Sequence, residues 1–425
     1  MRLPLALAFL LAAPVWAQPP ALPLTLAEAE KLAIQNNPQF SAARFNAAAA
    51  YQAPVEVRAG LMPTVSGVLT GVGADSGSRL AAGALNNPVV YNRVGSGLLA
   101  SQLVTDFGRT RNLITSAELR ANAQDQVTET TRADILIAVA RAYFSVLRAQ
   151  AVLKVAQQTV AARQLVSDQV TALANNKLKS ELDVSFANVN LADARLLLSQ
   201  AQNDVKSAEA QLAAAMGLSA QTSFALSEEA MPSALPDSVD PLLQQALSDR
   251  PELKDLRLEE SAAASFIKAE HALFYPSISI AGAAGVVPAG EAVIPGRYGA
   301  IGLNLNIPIF NGGLFHARQA EAELKEKAAR ENVNDLANRV MRDVRVAYLD
   351  ARTAFERLGL TQQLLNQAQL ALNLAQGRYD LGLSSIVELS QAQLSLTSAQ
   401  IANASARYDY QAERALVTYQ IGALH

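Results

Sequence analysis

Glycine and proline are distributed along this 425-residue chain in a way that permits few folds. Nine of the 22 glycines lie between Gly60 and Gly108 and eight between Gly282 and Gly313, whereas residues 109–271 contain only Gly217. Proline is absent between Pro88 and Pro232 and again beyond Pro308. Proline removes a helical hydrogen bond, and glycine loses the most backbone entropy on ordering. The two long tracts lacking them therefore predict long helices, and the two short rich tracts predict strands and turns.

The tracts belong to an internal repeat. An offset of 213 pairs Asn37-Pro38 with Arg250-Pro251 and Met62-Pro63 with Tyr275-Pro276. Beyond the glycine-rich tract the offset becomes 205 and stays there: Asp106 pairs with Asn311, Gly108 with Gly313, Ala142-Tyr143 with Ala347-Tyr348, Asp183 with Glu388, and Gly217 with Gly422. A constant register of this length is the mark of a duplicated structural unit. The change of eight falls in the breaker-rich tract, so the first half carries the longer loop.

Within the breaker-poor tracts the apolar residues follow spacings of four and three. Ile135, Val139, Ala142, Val146, Ala149, Leu153, Ala156 and Val160 form one seam, and Val340, Val344, Ala347, Ala351, Ala354, Leu358, Thr361 and Leu365 form its copy. The returning segment repeats the pattern from Val184 through Ala187, Leu191, Ala194, Leu198, Ala201, Val205, Ala208 and Leu212 to Ala215. Heptad seams rich in alanine predict closely packed antiparallel helices. The run from Arg109 to Leu173 would extend roughly 100 Å at about 1.5 Å per residue, far more than a globular domain needs.

The glycine-rich tracts have period two instead. Ile301, Leu303, Leu305, Ile307 and Ile309 alternate with Gly302, Asn304, Asn306 and Pro308, and Ile278 and Ile280 alternate with serines and alanines. Strands are expected at about 63–74, 91–105, 276–286 and 298–309. Each has an apolar face, a small or polar face, and the length of a strand crossing a bilayer in a barrel. Four strands cannot close a barrel, because open edges are not tolerated in lipid, so the chain must oligomerise. Two copies would leave an interior filled by side chains, and three would leave a lumen.

Charge and composition narrow the functions. With 35 Lys+Arg against 38 Asp+Glu the formal charge is −3, and no basic footprint exists for nucleic acid. Cysteine is absent, which removes disulfides and thiolate chemistry. Residues 1–17, with Arg2, an apolar run and Val15-Trp16-Ala17 before Gln18, read as a secretory signal peptide. Residue 18 is not cysteine, so no N-terminal lipid anchor is expected. No later segment approaches the roughly 18 consecutive apolar residues of a spanning helix.

His271, His316 and His425 are far apart, so no metal or other cofactor is expected. The loose dinucleotide-like run Gly95-Ser96-Gly97-Leu98-Leu99-Ala100 lies in a strand and opens no helix. Acidic pairs such as Glu28/Glu30 and Glu259/Glu260 fit solvated helix faces. No nucleophile stands beside a base, and the chain is not expected to be an enzyme.

Asp106-Phe107-Gly108-Arg109 and Phe310-Asn311-Gly312-Gly313 each follow a strand hairpin and open a long helix, and Tyr379-Asp380-Leu381-Gly382-Leu383-Ser384-Ser385-Ile386-Val387-Glu388-Leu389 has the form of a helix-hairpin tip. In order, spacing and duplication the exported chain resembles the TolC family of bacterial outer-membrane efflux ducts over essentially its whole mature length. The resemblance implies a mainly α-helical chain with a transmembrane β part. It also implies a homotrimer whose four strands per chain form a twelve-stranded barrel in outer-membrane lipid, continued by a periplasmic α-helical barrel. The first repeat would occupy 18–217, a linker 218–238, and the second repeat 239–425. The function implied is a passive exit duct of a tripartite efflux or type I secretion system, driven by an inner-membrane pump through a periplasmic adaptor. The alternative is an exported coiled-coil scaffold or adhesin without transport.

The same resemblance marks the tips. Tyr379 matches a tyrosine that bonds an acidic partner across hairpins, and Asp183 holds the matching acidic place. A phenol donating to a carboxylate is a bond of a few kcal/mol at most, weak enough for a latch that must open. The other reading of these residues is a seam tyrosine, seven after Leu372, and an acid at a helix N-terminus. Glu388 matches a carboxylate lining the constriction, where three copies would favour cations. Gln391 stands where relatives have a second acid, and Ser384 where some carry an arginine. Leu381, Gly382, Leu383, Ser384 and Ser385, with Leu178, Lys179 and Ser180 in the first tip, match adaptor-contact positions. Asn176-Lys177-Leu178-Lys179 lacks the glycine of the second tip, so a rebuilt turn is expected there.

Overall fold

The computed structural model describes residues 23–78, 89–219 and 224–424. Residues 1–17, expected to be a signal peptide, lie outside the described residues. In the first half β1 (Pro23–Leu24) leads to α1 (Leu26–Asn36), α2 (Pro38–Ala50), α3 (Gln52–Ala59), β2 (Thr64–Val72), β3 (Arg93–Thr105), α4 (Arg109–Asn175) and α5 (Glu181–Ala215). In the second half β4 (Ala225–Leu226) leads to α6 (Asp240–Asp249), α7 (Pro251–His271), β5 (Ser277–Gly290), β6 (Arg297–Asn306), α8 (Leu314–Asp380) and α9 (Ile386–Gln420). Helices α4 and α8 each have 67 residues and α5 and α9 each 35, as a duplicated hairpin requires.

The repeat extends to the helix starts. Pro38 and Pro251 are each the first residue of a helix, where the missing N–H would be unpaired anyway. Asn37 caps its helix by accepting from Gln39 N at 2.8 Å. Arg250 makes no cap bond in the same place and sends its guanidinium to Glu252 at 2.7 Å and Gln420 at 2.8 Å.

The described residues form two compact units, one within 23–36, 138–233 and 356–412, the other within 37–137, 234–355 and 413–424. In the first unit Val139, Val146, Ala156, Ala187, Leu191, Ala194, Ala201, Ala208 and Leu212 are buried, which is the heptad seam made physical. Ala368, Leu396 and Ala399 form a smaller cluster of the same kind. Strands β1 and β4 pair in parallel through Pro23 with Ala225 and Leu24 with Leu226. An 18-residue stretch of α4 is apolar enough by composition to cross a membrane, but more than half of it is buried within the chain, where the seam accounts for its character.

The second unit carries the sheet, ordered β2-β3-β5-β6 and antiparallel throughout. Its helical part is built on Leu243, Ala246, Val340 and Val344, with Ala347, Ala351 and Val417 beside them. The strand limits differ from the expected ones in two instructive places. β6 stops at Asn306 instead of continuing to about 309, because Pro308 has no N–H to give to a ladder. β5 runs on to Gly290 instead of ending near 286, because Val94 and Arg93 of β3 continue to pair with Ala289 and Gly290 past a bulge. β2 and β3 begin or end one or two residues inside 63–74 and 91–105.

Candidate functional site

One face of the sheet is built for a non-aqueous neighbour. Val65 and Leu69 of β2, Leu98 of β3, Val286 of β5 and Ile301, Leu303 and Leu305 of β6 are exposed, Ile301 by 83%. So many uncovered large apolar side chains on one alternating register match a lipid-facing strand surface. The opposite register carries Thr64, Ser66, Thr70, Ser101, Ser277, Ser279, Asn304 and Asn306. On that face Gly97, Gly285 and Tyr298 stand in one row across three strands. A Cβ on Gly97 would collide with the Tyr298 hydroxyl and lie 2.7 Å from Ala284 O, and one on Gly285 would collide with Ser96 O. The ring thus occupies space that only glycine leaves free.

Below the sheet His271, Phe274, Phe315 and His316 form an aromatic group, with Phe274 and His316 centroids 4.9 Å apart. Two of the three histidines that the sequence left unassigned, His271 and His316, are packing residues here, and His425 lies outside the described residues.

The two helix-hairpin tips, both in the first unit, are alike in backbone. Lys177 N donates to Ala174 O at 2.8 Å and Leu178 N to Leu173 O at 2.9 Å, and 205 residues later Gly382 N donates to Tyr379 O at 3.0 Å and Leu383 N to Arg378 O at 2.8 Å. This is the left-handed helix-ending turn that usually takes glycine. Gly382 has φ 70°, and Lys177 has φ 60° in the equivalent place. The expectation of a rebuilt first tip is therefore corrected: the turn is kept, and lysine bears its left-handed conformation, because the same two helix ends must be joined.

The caps that follow are also paired. Ser180 Oγ accepts from Asp183 N at 3.1 Å, and the Asp183 carboxylate accepts from Ser180 N at 3.0 Å and Ser180 Oγ at 2.8 Å, completing a capping box at the start of α5. In the second tip Ser385 Oγ accepts from Glu388 N at 3.4 Å, but the Glu388 carboxylate goes instead to Arg378 Nε at 3.3 Å.

Tyr379 lies between these features. It is only 5% exposed and packs with Val170, Ala187, Ile386, Leu389 and Leu372, as its heptad position implies. Its hydroxyl is buried and finds no hydrogen-bond partner among the described residues, and the Asp183 carboxylate is engaged by Ser180. Burial, then the nearby charges of Asp183 and Asp380, raises the Tyr379 phenol above its ordinary pKa. The Lys179 Nζ sits over the Tyr379 ring, 3.8 Å from its centroid. Leu178, Leu381 and Leu383 project into solvent, and Ser384 Oγ is buried without a partner among the described residues. The pairing of Arg378 with Glu388 and the left-handed turn at Lys177 were not foreseen from the sequence. The 205 offset places Lys177 opposite Gly382 and could have told that the turn is kept, whereas nothing in the sequence pairs Arg378 with Glu388.

The family described as outer membrane efflux protein matches residues 30–218 and 242–422 of this chain. The chain is 26% identical to the outer membrane protein TolC of Salmonella enteritidis over 423 residues, covering 94% of this chain and 84% of that protein. It is 25% identical to the outer membrane protein TolC of Escherichia coli K12 over 409 residues, covering 92% and 80%. Its fold is similar to that of the outer-membrane channel OprN, with a TM-score of 0.81, 20% identity and coverage of 94% and 90%.

Proposed function

The chain belongs to the outer membrane efflux protein family, and from that premise we propose that three copies join their four-stranded sheets into one twelve-stranded barrel. As a member of that family it is an efflux channel of the outer membrane that extends into the periplasm. The family is one of transport proteins, and the reading of a scaffold without transport has no support among the relatives.

A single observation carries the trimeric reading: an antiparallel sheet of four strands, uncovered on its apolar face, with β2 and β6 as open edges. Such edges inside lipid must be paired, and twelve strands leave a lumen where eight would be filled. The long helices would then continue the lumen as a periplasmic tunnel. Substrates would leave through it when a periplasmic adaptor and an inner-membrane pump dock at the helix tips.

In this reading Tyr379, Asp183 and Glu388 belong to the constriction. Leu381, Gly382, Leu383, Ser384 and Ser385, with Leu178, Lys179 and Ser180, form the adaptor-facing tips. The exposed Leu178, Leu381 and Leu383 support an apolar docking contact at turns of matching shape. The Glu388 ring would favour cations only weakly, since Arg378 already pairs each carboxylate. Detergent-extracted protein should run as a heat-modifiable trimer and conduct ions in planar bilayers. A water-soluble protein that does neither would overturn the reading.

A further inference from the structure

Two interactions within the tip compete for Tyr379. Its hydroxyl is the group that could bond an acid, yet Asp183 is committed to the Ser180 cap and the hydroxyl stays unpaired. Its ring is the group in use, for Lys179 lies directly on it. The cation of the second tip, Arg378, is engaged by Glu388. Lys179 comes from the segment between α4 and α5, and Tyr379 from the last turn of α8, so their contact spans the two hairpins. It closes over the cluster that Val170 and Ala187 of the first hairpin make with Ile386 and Leu389 of the second. A cation on the face of a largely buried ring is attracted by the ring quadrupole and poorly screened by water.

We propose that Lys179 is a positioning residue of the closed tip, its ammonium clasping the first helix hairpin to the second through the Tyr379 ring, and that breaking this clasp opens the inner end of the channel. The inference rests on the channel reading above. It differs from a hydroxyl latch in what it requires of Tyr379: an aromatic face and not a phenol.

The substitutions Lys179→Met, Lys179→Arg, Tyr379→Phe and Tyr379→Leu separate the two. Each purified trimer is reconstituted in planar bilayers. The chain has no cysteine, so Leu178→Cys and Leu383→Cys can carry spin labels that report the distance between the tips. Lys179→Met and Tyr379→Leu should raise single-channel conductance several-fold and lengthen the distance, whereas Lys179→Arg and Tyr379→Phe should match the wild type in both. Wild-type behaviour of Lys179→Met, or a Tyr379→Phe channel as open as Tyr379→Leu, overturns the clasp. Failure of the channel reading looks different: the wild type itself then forms no heat-modifiable trimer and conducts nothing.

Discussion

Tyr143 and Tyr348, 205 residues apart in the chain, use their hydroxyls identically. Tyr143 Oη approaches Leu24 O at 2.9 Å and Ser227 O at 2.6 Å, and Tyr348 Oη approaches Pro236 O at 2.8 Å and Asp237 O at 2.9 Å. Each long helix thus ties down non-helical backbone through a buried phenol shared by two carbonyls. In the first unit those carbonyls flank the β1–β4 pair, and Tyr143 itself is completely buried. Duplication has preserved a backbone anchor as well as a seam.

Tyr143→Phe should therefore destabilise the protein by about 1–3 kcal/mol, the cost of stranding buried carbonyls without a donor. Tyr348→Phe should cost a similar amount, and the two losses should add, since the tyrosines share no partner. Denaturant unfolding in detergent, followed by helical circular dichroism, measures each. A neutral Tyr143→Phe would mean that other donors take over both carbonyls.

Lys177→Gly should stabilise the protein. A lysine at φ 60° carries about 1–2 kcal/mol of left-handed strain. Glycine relieves it at an unfolded-state cost of about 0.4–1 kcal/mol, leaving a net gain of at most about 1.6 kcal/mol. Gly382→Lys should lose a comparable amount. The same denaturant curves decide both, and a destabilising Lys177→Gly would show that the lysine side chain contributes a contact worth more than its strain.

Burial, with Glu259 and then Glu252 nearby, pushes the Asp255 carboxyl up from 3.8 to about 6. Between those values the folded protein keeps a proton that the unfolded chain releases. The contribution of Asp255 to stability therefore falls as pH rises through that window and is level above it. Asp255→Asn abolishes this dependence. Melting temperatures of both proteins in detergent should diverge progressively from about pH 4 to about pH 6, with the variant gaining on the wild type. A constant difference across the window would remove Asp255 as a source of pH sensitivity.

Gly97→Ala and Gly285→Ala should each reduce the yield of heat-modifiable trimer. An added methyl meets backbone oxygens, Ala284 O at 2.7 Å in one case and Ser96 O in the other, besides the Tyr298 ring. For the same reason Tyr298→Ala should not rescue either variant, because removing the ring leaves the carbonyls in place. Rescue by Tyr298→Ala would place the whole clash in the side chain.

Much of the architecture is legible along the chain because its signals are local. The four-and-three spacing from Ile135 to Val160 reports a helix face directly, and the alternation from Ile301 to Leu305 reports a strand. Pro38 and Pro251 mark helix starts for a reason contained in the residue itself. Ile307 and Ile309 show where the signal misleads: the alternation continues past Asn306, but Pro308 cannot take its place in a ladder. At the tips the positions of Asp183 and Glu388 follow from the repeat and that of Tyr379 from the family resemblance and the seam, but their partners do not. Asp183 could serve a helix cap or a phenol, and Ser180, three residues away, claims it by proximity.

The sequence by itself determined the order of helices and strands, the duplication and its 205 register, the faces that must be buried, and the family. Those features depend on residue type and spacing, which are covalent facts. Tertiary structure decided that Lys177 adopts glycine's left-handed turn, that Arg378 takes Glu388, and that Lys179 rests on the ring of Tyr379 while the phenol stays unpaired. These outcomes are competitions among several possible partners for one group. Such competitions are settled by distance and burial in three dimensions, which spacing along the chain does not contain.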